Sequence, residues 1–307
     1  MFDSDSTITK VIIPDSVISI GTQAFWNCTN LSKIDIPSTI TYIGHDAFSL
    51  TPWLETQQKN NPLVVVNGIL VDGRASEGSV IIGDDVTSIC GGAFSFNNKI
   101  TKITLSNTVK KIGSEAFVYC RNLKAVVMKD SVYELGERVF FSCRSLTYVK
   151  LSNSLKSIPE GTFEKCTKLV NVTIPYSVTK IGTAFDGCSK LGKVTISENV
   201  ALIEEGTFDY CNKPSIYGKK DSYAYKYASK DNITFKTLAI SDKKISLSVG
   251  DVRYLKLNGS ALCIWKTSDR SVASVNSSGK VTAVGKGKVV ITAYLYNKVY
   301  KSEIEVK

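Results

Sequence analysis

The sequence has few of the residues on which catalysis and cofactor binding depend. Its 307 residues include a single histidine, His45, and no C-x-x-C pair. A Ser-His-Asp triad or a Cys-His dyad would have to use that histidine. It follows Gly44, in a variable position that is expected to face solvent. A zinc site would lack ligands, and no glycine-rich phosphate loop of the Walker or dinucleotide type occurs. We therefore expect no enzyme activity, no catalytic residue, no cofactor and no metal.

Long apolar runs and a leader segment are also missing. No stretch of 18 apolar residues occurs, so the sequence predicts no transmembrane segment. A strand-like segment begins already at Ile8, and no signal peptide precedes it. We expect that native sequence, including a signal peptide, lies upstream of Met1.

Positive charge is in excess. The formal net charge is +10, and from residue 238 onward 12 lysines and arginines stand against 5 acidic residues. A basic surface favours acidic partners such as anionic glycans or nucleic acid. The lysines are scattered and no DNA-reading motif accompanies them, so we interpret the excess as a solvated surface and expect no nucleic-acid partner.

The chain repeats one phrase, which first occurs at residues 20–28 as IGTQAFWNC. Its phenylalanine returns mostly at steps of 23 residues, with one step of 22 and one of 46, or twice 23. A fixed period of this length indicates stacked coils and not one globular core. The phenylalanines of the phrase are Phe25, Phe48, Phe94, Phe117, Phe140, Phe163, Phe185 and Phe208.

Each repeat contains a strand of the form L-x-x-V/I-x-I, as in Leu31, Ile34 and Ile36. Neighbouring coils would place these strands side by side, about 4.8 Å apart, in a parallel sheet. The inward Leu, Val, Ile, Phe and Cys positions would stack on their counterparts, because one coil alone cannot bury its apolar face. A glycine before the phenylalanine is predicted to serve a tight turn or a positive φ angle. It is found at Gly21, Gly44, Gly113, Gly136 and Gly182.

This pattern resembles the BspA-like class of leucine-rich repeats, which occurs in bacterial surface and secreted proteins and in some protists. Residues 13–28, IPDSVISIGTQAFWNC, and residues 36–48, IPSTITYIGHDAF, carry the resemblance. It implies a mainly β fold, a curved right-handed solenoid with a parallel sheet and little helix. It also implies a role in adhesion or ligand binding and no catalytic residues.

One repeat, residues 51–79, departs from the pattern. Thr51 and Pro52 predict the start of a short helix. Asn67-Gly68 between two apolar β-rich runs predicts a hairpin with a type I′ turn. The segment is interpreted either as a variant coil that covers the sheet or core, or as a protruding binding flap.

Two further segments follow the repeats. Residues 212–237 predict a short strand, a turn and an amphipathic helix that would cap the last coil, and they resemble the C-terminal cap of this repeat family. Residues 238–307 have short alternating strands with Gly, Ser and Asp turns, which predict a β-sandwich. Within them, residues 264–287 resemble the group 2 bacterial immunoglobulin-like domain. We therefore predict two domains, a leucine-rich-repeat solenoid at 1–237 and an immunoglobulin-like sandwich at 238–307.

Most of the eight cysteines occupy one column of the repeat. Stacked coils would bring neighbouring Cα atoms of this column roughly 5 Å apart, within reach of a disulfide. Thr51 and Asn97 occupy the column in other coils, which indicates a small buried slot and favours free thiols. Disulfides stay the alternative for a secreted protein. The column contains Cys28, Cys120, Cys143, Cys166, Cys188 and Cys211.

Residues that flank the central apolar position of each strand are predicted to face outward, Thr195 among them. Repeat proteins bind partners on such an extended sheet face. Tyr148, flanked by Lys102, Lys150 and Asn171, combines an aromatic anchor with a cationic rim and an amide, although an ordinary solvated face is the alternative. The candidate partner-binding residues are Lys33, Asp35, Lys102, Thr104, Val127, Tyr148, Lys150, Asn171, Thr173 and Lys193.

These features together predict a non-enzymatic extracellular or cell-surface protein of recognition or adhesion. It would act as a monomer and bind a protein or glycan partner through the sheet face. Two alternatives stay open: a structural spacer or display module of a larger surface protein, and an accessory part of a glycan-active enzyme. Binding to an array of extracellular-matrix proteins or glycans would separate the first function from the other two.

Overall fold

The computed structural model of this chain is mainly β, as the repeat pattern predicted. The structure describes residues 2–260 and 262–307, so Met1 lies outside the described residues. Two compact units are present. Unit 1 comprises Met1–Val170, Ser177–Leu191 and Ala201–Asn212, and unit 2 comprises Asn171–Tyr176, Gly192–Val200 and Lys213–Lys307. The predicted domain boundary between residues 237 and 238 stays a prediction.

The repeats and the segment after them form short elements, because each coil must turn several times within about 23 residues. In chain order they are β1 Lys10–Ile12, β2 Ser19–Ile20, β3 Lys33–Asp35, β4 Tyr42–Ile43, α1 Pro52–Asn60, β5 Val64–Val66, β6 Ile69–Asp72, β7 Gly78–Ile81, β8 Ser88–Ile89, β9 Ile100–Thr104, β10 Lys111–Ile112, β11 Ala125–Val127, β12 Glu134–Leu135, β13 Tyr148–Lys150, β14 Ser157–Ile158, β15 Asn171–Thr173, β16 Lys180–Ile181, β17 Lys193–Thr195, β18 Leu202–Ile203, β19 Ser215–Gly218, α2 Tyr223–Lys230 and β20 Thr234–Thr237.

Unit 1 stacks its strands in two series. One series forms sheets of order β1-β3 and β13-β11-β9-β7, and the other forms β2-β4, β12-β10-β8-β6-β5 and β14-β16-β18. Except for β5 and β6, neighbouring strands run parallel, and most of them pair residues about one repeat apart, as Val126 pairs with Ile103 and Val149. The parallel-sheet solenoid that the period predicted is confirmed.

A spine of phenylalanine rings fills the core of unit 1. The rings from Phe94 to Phe208 stack at centroid distances of 4.8 to 5.6 Å. In the 46-residue step, Trp53 of α1 packs against Phe48 with centroids 4.7 Å apart. A Cβ on Gly73 would lie 2.2 Å from the Phe94 ring. The helix thus supplies an aromatic ring where a repeat phenylalanine is missing, and a glycine makes room for the next one.

Residues 51–79 form a variant coil. The Thr51 hydroxyl accepts a hydrogen bond from the Leu54 amide at 3.2 Å and caps α1. Asn67 and Gly68 have φ angles of 49° and 77°, which a type I′ turn requires, and β5 pairs antiparallel with β6. β6 then joins β8 in parallel and is buried throughout. The predicted helix and hairpin are confirmed, and the segment is part of the stack and not a protruding flap.

The repeated glycine provides close packing between coils. A Cβ on Gly44, Gly113 or Gly136 would lie 2.2 to 2.5 Å from a backbone nitrogen of a neighbouring coil. The predicted positive φ is wrong at these positions, since it occurs two residues later, for example at Asp46 and Glu115.

Unit 2 combines a repeat-type sheet with a β-sandwich. Its first sheet has the order β15-β17-β19-β20, with α2 between the last two strands. Two more sheets, of order β21-β27-β26-β23 and β22-β25-β24, enclose a core that includes Leu255, Val281 and Ile291. The predicted strand, helix and sandwich are confirmed. The sandwich strands are β21 Lys244–Leu247, β22 Val252–Tyr254, β23 Ile264–Thr267, β24 Ala273–Val275, β25 Lys280–Ala283, β26 Gly287–Leu295 and β27 Lys298–Val306.

Candidate functional site

Three adjacent strands of unit 1 bring the central candidate residues together. Lys102 on β9 and Tyr148 on β13 both pair with Ala125 of β11, so two strand spacings, about 9.6 Å, separate their backbones. Lys102 is exposed and Tyr148 is 44% exposed. The next residue of each strand, Ile103 or Val149, is buried on the opposite side. The tyrosine and the lysine therefore share one outer face.

A second row of candidate residues lies beside the first. Thr104, Val127 and Lys150 are in register across the same three strands and are half-buried. Lys150 lies two residues from Tyr148, and side chains two apart in a strand point to the same face. The face thus presents aromatic and aliphatic surface between two lysines.

Lys33 and Asp35 lie on β3, which pairs with β1 in a two-stranded sheet. Both are exposed, and the Asp35 carboxylate is 3.7 Å from Nζ of Lys10. An exposed pair of this kind contributes little to stability. It does place both signs of charge on this part of the outer surface.

The remaining candidates belong to unit 2. Lys193 on β17 pairs with Asn171 on β15, and both are exposed. Thr173 is half-buried, with its hydroxyl 3.0 Å from that of Ser260. The prediction that Thr195 faces outward into solvent is wrong. Its side chain is buried and its hydroxyl donates to the Gly259 carbonyl at 2.5 Å, because the loop at 259–260 covers this end of the column.

The single histidine lines a groove that sequence reasoning missed. The groove has a volume of about 660 Å³ and is also lined by Tyr42, Lys111 and Glu134. His45 is half-buried and its Nε2 is 3.2 Å from Oδ2 of Asp46. This hydrogen bond raises the pKa of His45. The expectation that His45 faces solvent is wrong, since the ring occupies the space that a side chain at residue 92 would fill.

The cysteines of the repeat column are free thiols, as favoured from the sequence. Burial raises the pKa of Cys143 and Cys166 well above its usual value. A thiol with a raised pKa stays protonated and is a poor nucleophile. Among residues 2–260 and 262–307, no group of His, Cys, Asp and Glu is arranged to hold a metal ion.

No described helix has both the length and the apolar character that crossing a membrane requires.

Two families match the chain. The BspA type leucine rich repeat region matches residues 1–67 and 78–216 in six copies. The bacterial Ig-like domain of group 2 matches residues 256–305. Both resemblances drawn from the sequence are thereby confirmed. A search of the curated proteins found no match.

Several solved structures are similar to this chain. A leucine rich cell surface protein from Faecalibacterium prausnitzii is 24% identical, with 72% of this chain and 62% of that chain covered and a TM-score of 0.44. A leucine-rich repeat protein from Bacteroides ovatus is 26% identical, with 77% and 56% covered and a TM-score of 0.47. A leucine-rich repeat protein of T. pallidum is 22% identical, with 55% and 89% covered and a TM-score of 0.41. The chain thus spans 62% and 56% of the first two proteins.

Proposed function

Because this chain belongs to the BspA type leucine-rich repeat family, we propose that it is an extracellular or cell-surface protein of recognition or adhesion. Leucine-rich-repeat and immunoglobulin-like families are typically non-enzymatic, and we propose the same of this chain. It acts as a monomer that binds a protein or glycan partner through the outer face of its repeat strands.

The observation that carries this proposal is the outer face of β9, β11 and β13. Tyr148 is partly exposed, and Lys102 and Lys150 lie in the same two rows of outward side chains. Aromatic anchors that become buried contribute most of the binding energy in many interfaces. The two lysines favour a partner with acidic groups and speed its approach.

A triple variant tests this face. Lys102→Glu, Lys150→Glu and Tyr148→Ala together should weaken binding at least about tenfold, because they remove the anchor and reverse two charges. Binding is measured on an array of extracellular-matrix proteins and of neutral and anionic glycans. Raising the salt concentration should also weaken binding, since the partner is attracted by exposed charges.

A matched variant controls for charge and for the loss of an aromatic ring. Lys226→Glu, Lys256→Glu and Tyr254→Ala change three exposed residues of unit 2 in the same way. Binding that is equal for the two triple variants would contradict the proposed face. If no protein or glycan on the array is bound at all, the chain is better explained as a structural spacer.

A further inference from the structure

A second exposed aromatic surface of unit 1 is built on an unfavourable backbone conformation. Phe96 has a φ angle of 59°, in the left-handed region that bulky residues rarely adopt. In two other coils the corresponding residue is Asn27 or Gly187, which suit this conformation better. In others it is again bulky, as at Leu50 and Tyr119. Phe96 is nevertheless 63% exposed, so its ring contributes little to the core. A strained and exposed aromatic residue points to binding.

One face of the Phe96 ring is already covered. It stacks on Tyr119 with centroids 4.8 Å apart and an interplanar angle of 21°. Phe96 also lines a groove of about 400 Å³, together with Trp26 and Leu50. The groove therefore offers flat apolar surface to a ligand of matching shape.

The floor of this groove is polar and held in place. Arg74 donates to Asp46 at 3.1 Å and to Ser49 at 2.7 Å, and its Nε donates to the buried carboxylate of Asp72. The side-chain amide of Gln58 on α1 adds a further support, because its Nε2 donates to Asp72 at 2.8 Å. Arg74, Asp46 and Gln58 line the groove. Donors and acceptors that are fixed before binding lose little entropy when a ligand arrives.

The groove carries charged groups of both signs. Asp46 and Glu55 line it together with Arg74. Burial alone would raise the pKa of Asp46, but hydrogen bonds from His45 and Ser49 and the charge of Arg74 lower it to about 2, so the group stays ionised. The carboxylates disfavour an anion, and the ion pair with Arg74 offsets the attraction of Asp46 for a cation. A neutral ligand rich in hydroxyl groups fits donors and acceptors of both kinds.

We propose that this groove binds one ring of a neutral oligosaccharide. A pyranose ring has an apolar face of C–H groups and a rim of hydroxyls. The apolar face would pack on Phe96 and Trp26, and the hydroxyls would bond to Asp46, Arg74 and Gln58. Apolar walls with a few convergent polar groups are the usual composition of small-ligand sites. This site does not depend on the sheet face proposed above.

The test uses the full chain and defined sugars. Cellotriose, maltotriose, N,N′,N″-triacetylchitotriose and lactose are the neutral probes, and 3′-sialyllactose and choline are the charged ones. Saturation-transfer NMR detects binding, and the part of the tryptophan fluorescence change that is lost in Trp26→Val reports on the groove. We expect at least one neutral probe to bind with a millimolar or lower Kd. The variant Phe96→Asn should weaken that binding about tenfold, which is the loss expected for one aromatic contact.

The matched control is Tyr210→Asn. Tyr210 occupies the same position in the coil of Phe208, has a φ of 53° and is 86% exposed. Asn suits the left-handed backbone, so both variants should fold, and a thermal scan checks this. Trp26→Val is a second variant, because Val118 occupies that column in another coil. The proposal is overturned if no neutral probe binds, if Phe96→Asn and Tyr210→Asn bind alike, or if a charged probe binds more tightly than every neutral one.

Discussion

The cysteine column of the repeats is a column of buried hydrogen-bond donors. The Cys143 thiol donates to the Phe117 carbonyl at 3.1 Å, and Cys166 donates to Phe140 at 3.2 Å. In coils without cysteine, Thr51 and Asn97 donate to backbone carbonyls instead. The slot therefore selects a small side chain that carries a donor, which explains why cysteine alternates with threonine and asparagine there.

Two substitutions of Cys143 distinguish a requirement for a hydrogen-bond donor from a requirement for a small side chain. Cys143→Ser keeps a donor for the Phe117 carbonyl, whereas Cys143→Ala leaves that buried carbonyl without it. We expect the alanine variant to be less stable than the serine variant by about 1 kcal/mol. Urea-induced unfolding of both variants measures the difference. If alanine is equally stable or more stable, the slot selects for size alone.

The His45–Asp46 pair makes stability depend on pH. The hydrogen bond with Asp46 raises the pKa of His45. The stabilisation that protonated His45 provides is therefore complete below the pKa of an unfolded histidine, about 6.5, and is lost as the pH rises through the pKa of His45 in the folded state. The pKa of Asp46 falls from 3.8 to about 2 in the folded state. Its contribution is therefore present above pH 3.8 and is lost as the pH falls towards 2. The pair stabilises the fold most between these two limits.

The variant His45→Gln tests the upper limit. The free energy of unfolding of the unmodified chain should decrease as the pH rises above about 6.5, and this decrease should be smaller in the variant. His45 is the single histidine, so no other histidine contributes to the difference. Urea unfolding at pH 6 and pH 9 measures it. Equal pH dependence in the two proteins would contradict a role of this pair.

At the scale of the coil, the turn before the phenylalanine has two positions at which glycine occurs. Coils with Gly44, Gly113 or Gly136 have a non-glycine residue at positive φ two positions later. Where the first position is Cys90, Pro159 or Glu204, the later position is itself glycine, at Gly92, Gly161 and Gly206. The first position removes a side chain where coils approach closely, and the second allows the left-handed backbone.

Gly136→Ala and Gly21→Ala form a matched pair at the first position. A Cβ at residue 136 would lie 2.2 Å from the Ser114 nitrogen, whereas a Cβ at residue 21 would meet nothing within 4 Å. Gly136→Ala should destabilise the solenoid by about 1–3 kcal/mol, because backbone must move apart. Gly21→Ala should be neutral or slightly stabilising. Thermal unfolding of the two variants gives the comparison, and similar midpoints would contradict close packing as the reason for the glycine.

The elements that could be predicted from the sequence are those marked by a repeated pattern or by a short local motif. The 23-residue period predicts the parallel strands and the phenylalanine spine, and Thr51-Pro52 and Asn67-Gly68 predict α1 and the hairpin. The contacts of His45, the burial of Thr195 and the groove beside Phe96 were not predicted. Each depends on side chains of different coils or loops that no periodic position relates, so their proximity appears only in three dimensions.

At the scale of the whole chain, unit 2 joins repeat strands to the sandwich. The Tyr296 hydroxyl donates to the Ile174 carbonyl at 2.7 Å, and Nζ of Lys298 is 3.0 Å from the Glu198 carboxylate. Burial raises the pKa of Tyr296, in keeping with a hydroxyl that stays a donor. The sandwich therefore covers part of the sheet formed by β15 and β17 and limits how far the proposed partner-binding face extends in unit 2.

Ending the chain at Thr237 tests this arrangement. The segments 171–176 and 192–200 belong to the same compact unit as 213–307, and the shortened chain would lose the donor to Ile174 and the cover of Thr195. Hydrogen exchange should therefore become faster in these two segments, because sheet amides that lose packing open more often. The strands β9 and β11 of unit 1 are the internal control and should keep their exchange rates. Unchanged rates at 171–176 and 192–200 would instead show that the sandwich behaves as an independent module. The outer face of β15 and β17, with Asn171 and Lys193, would then be accessible to a partner.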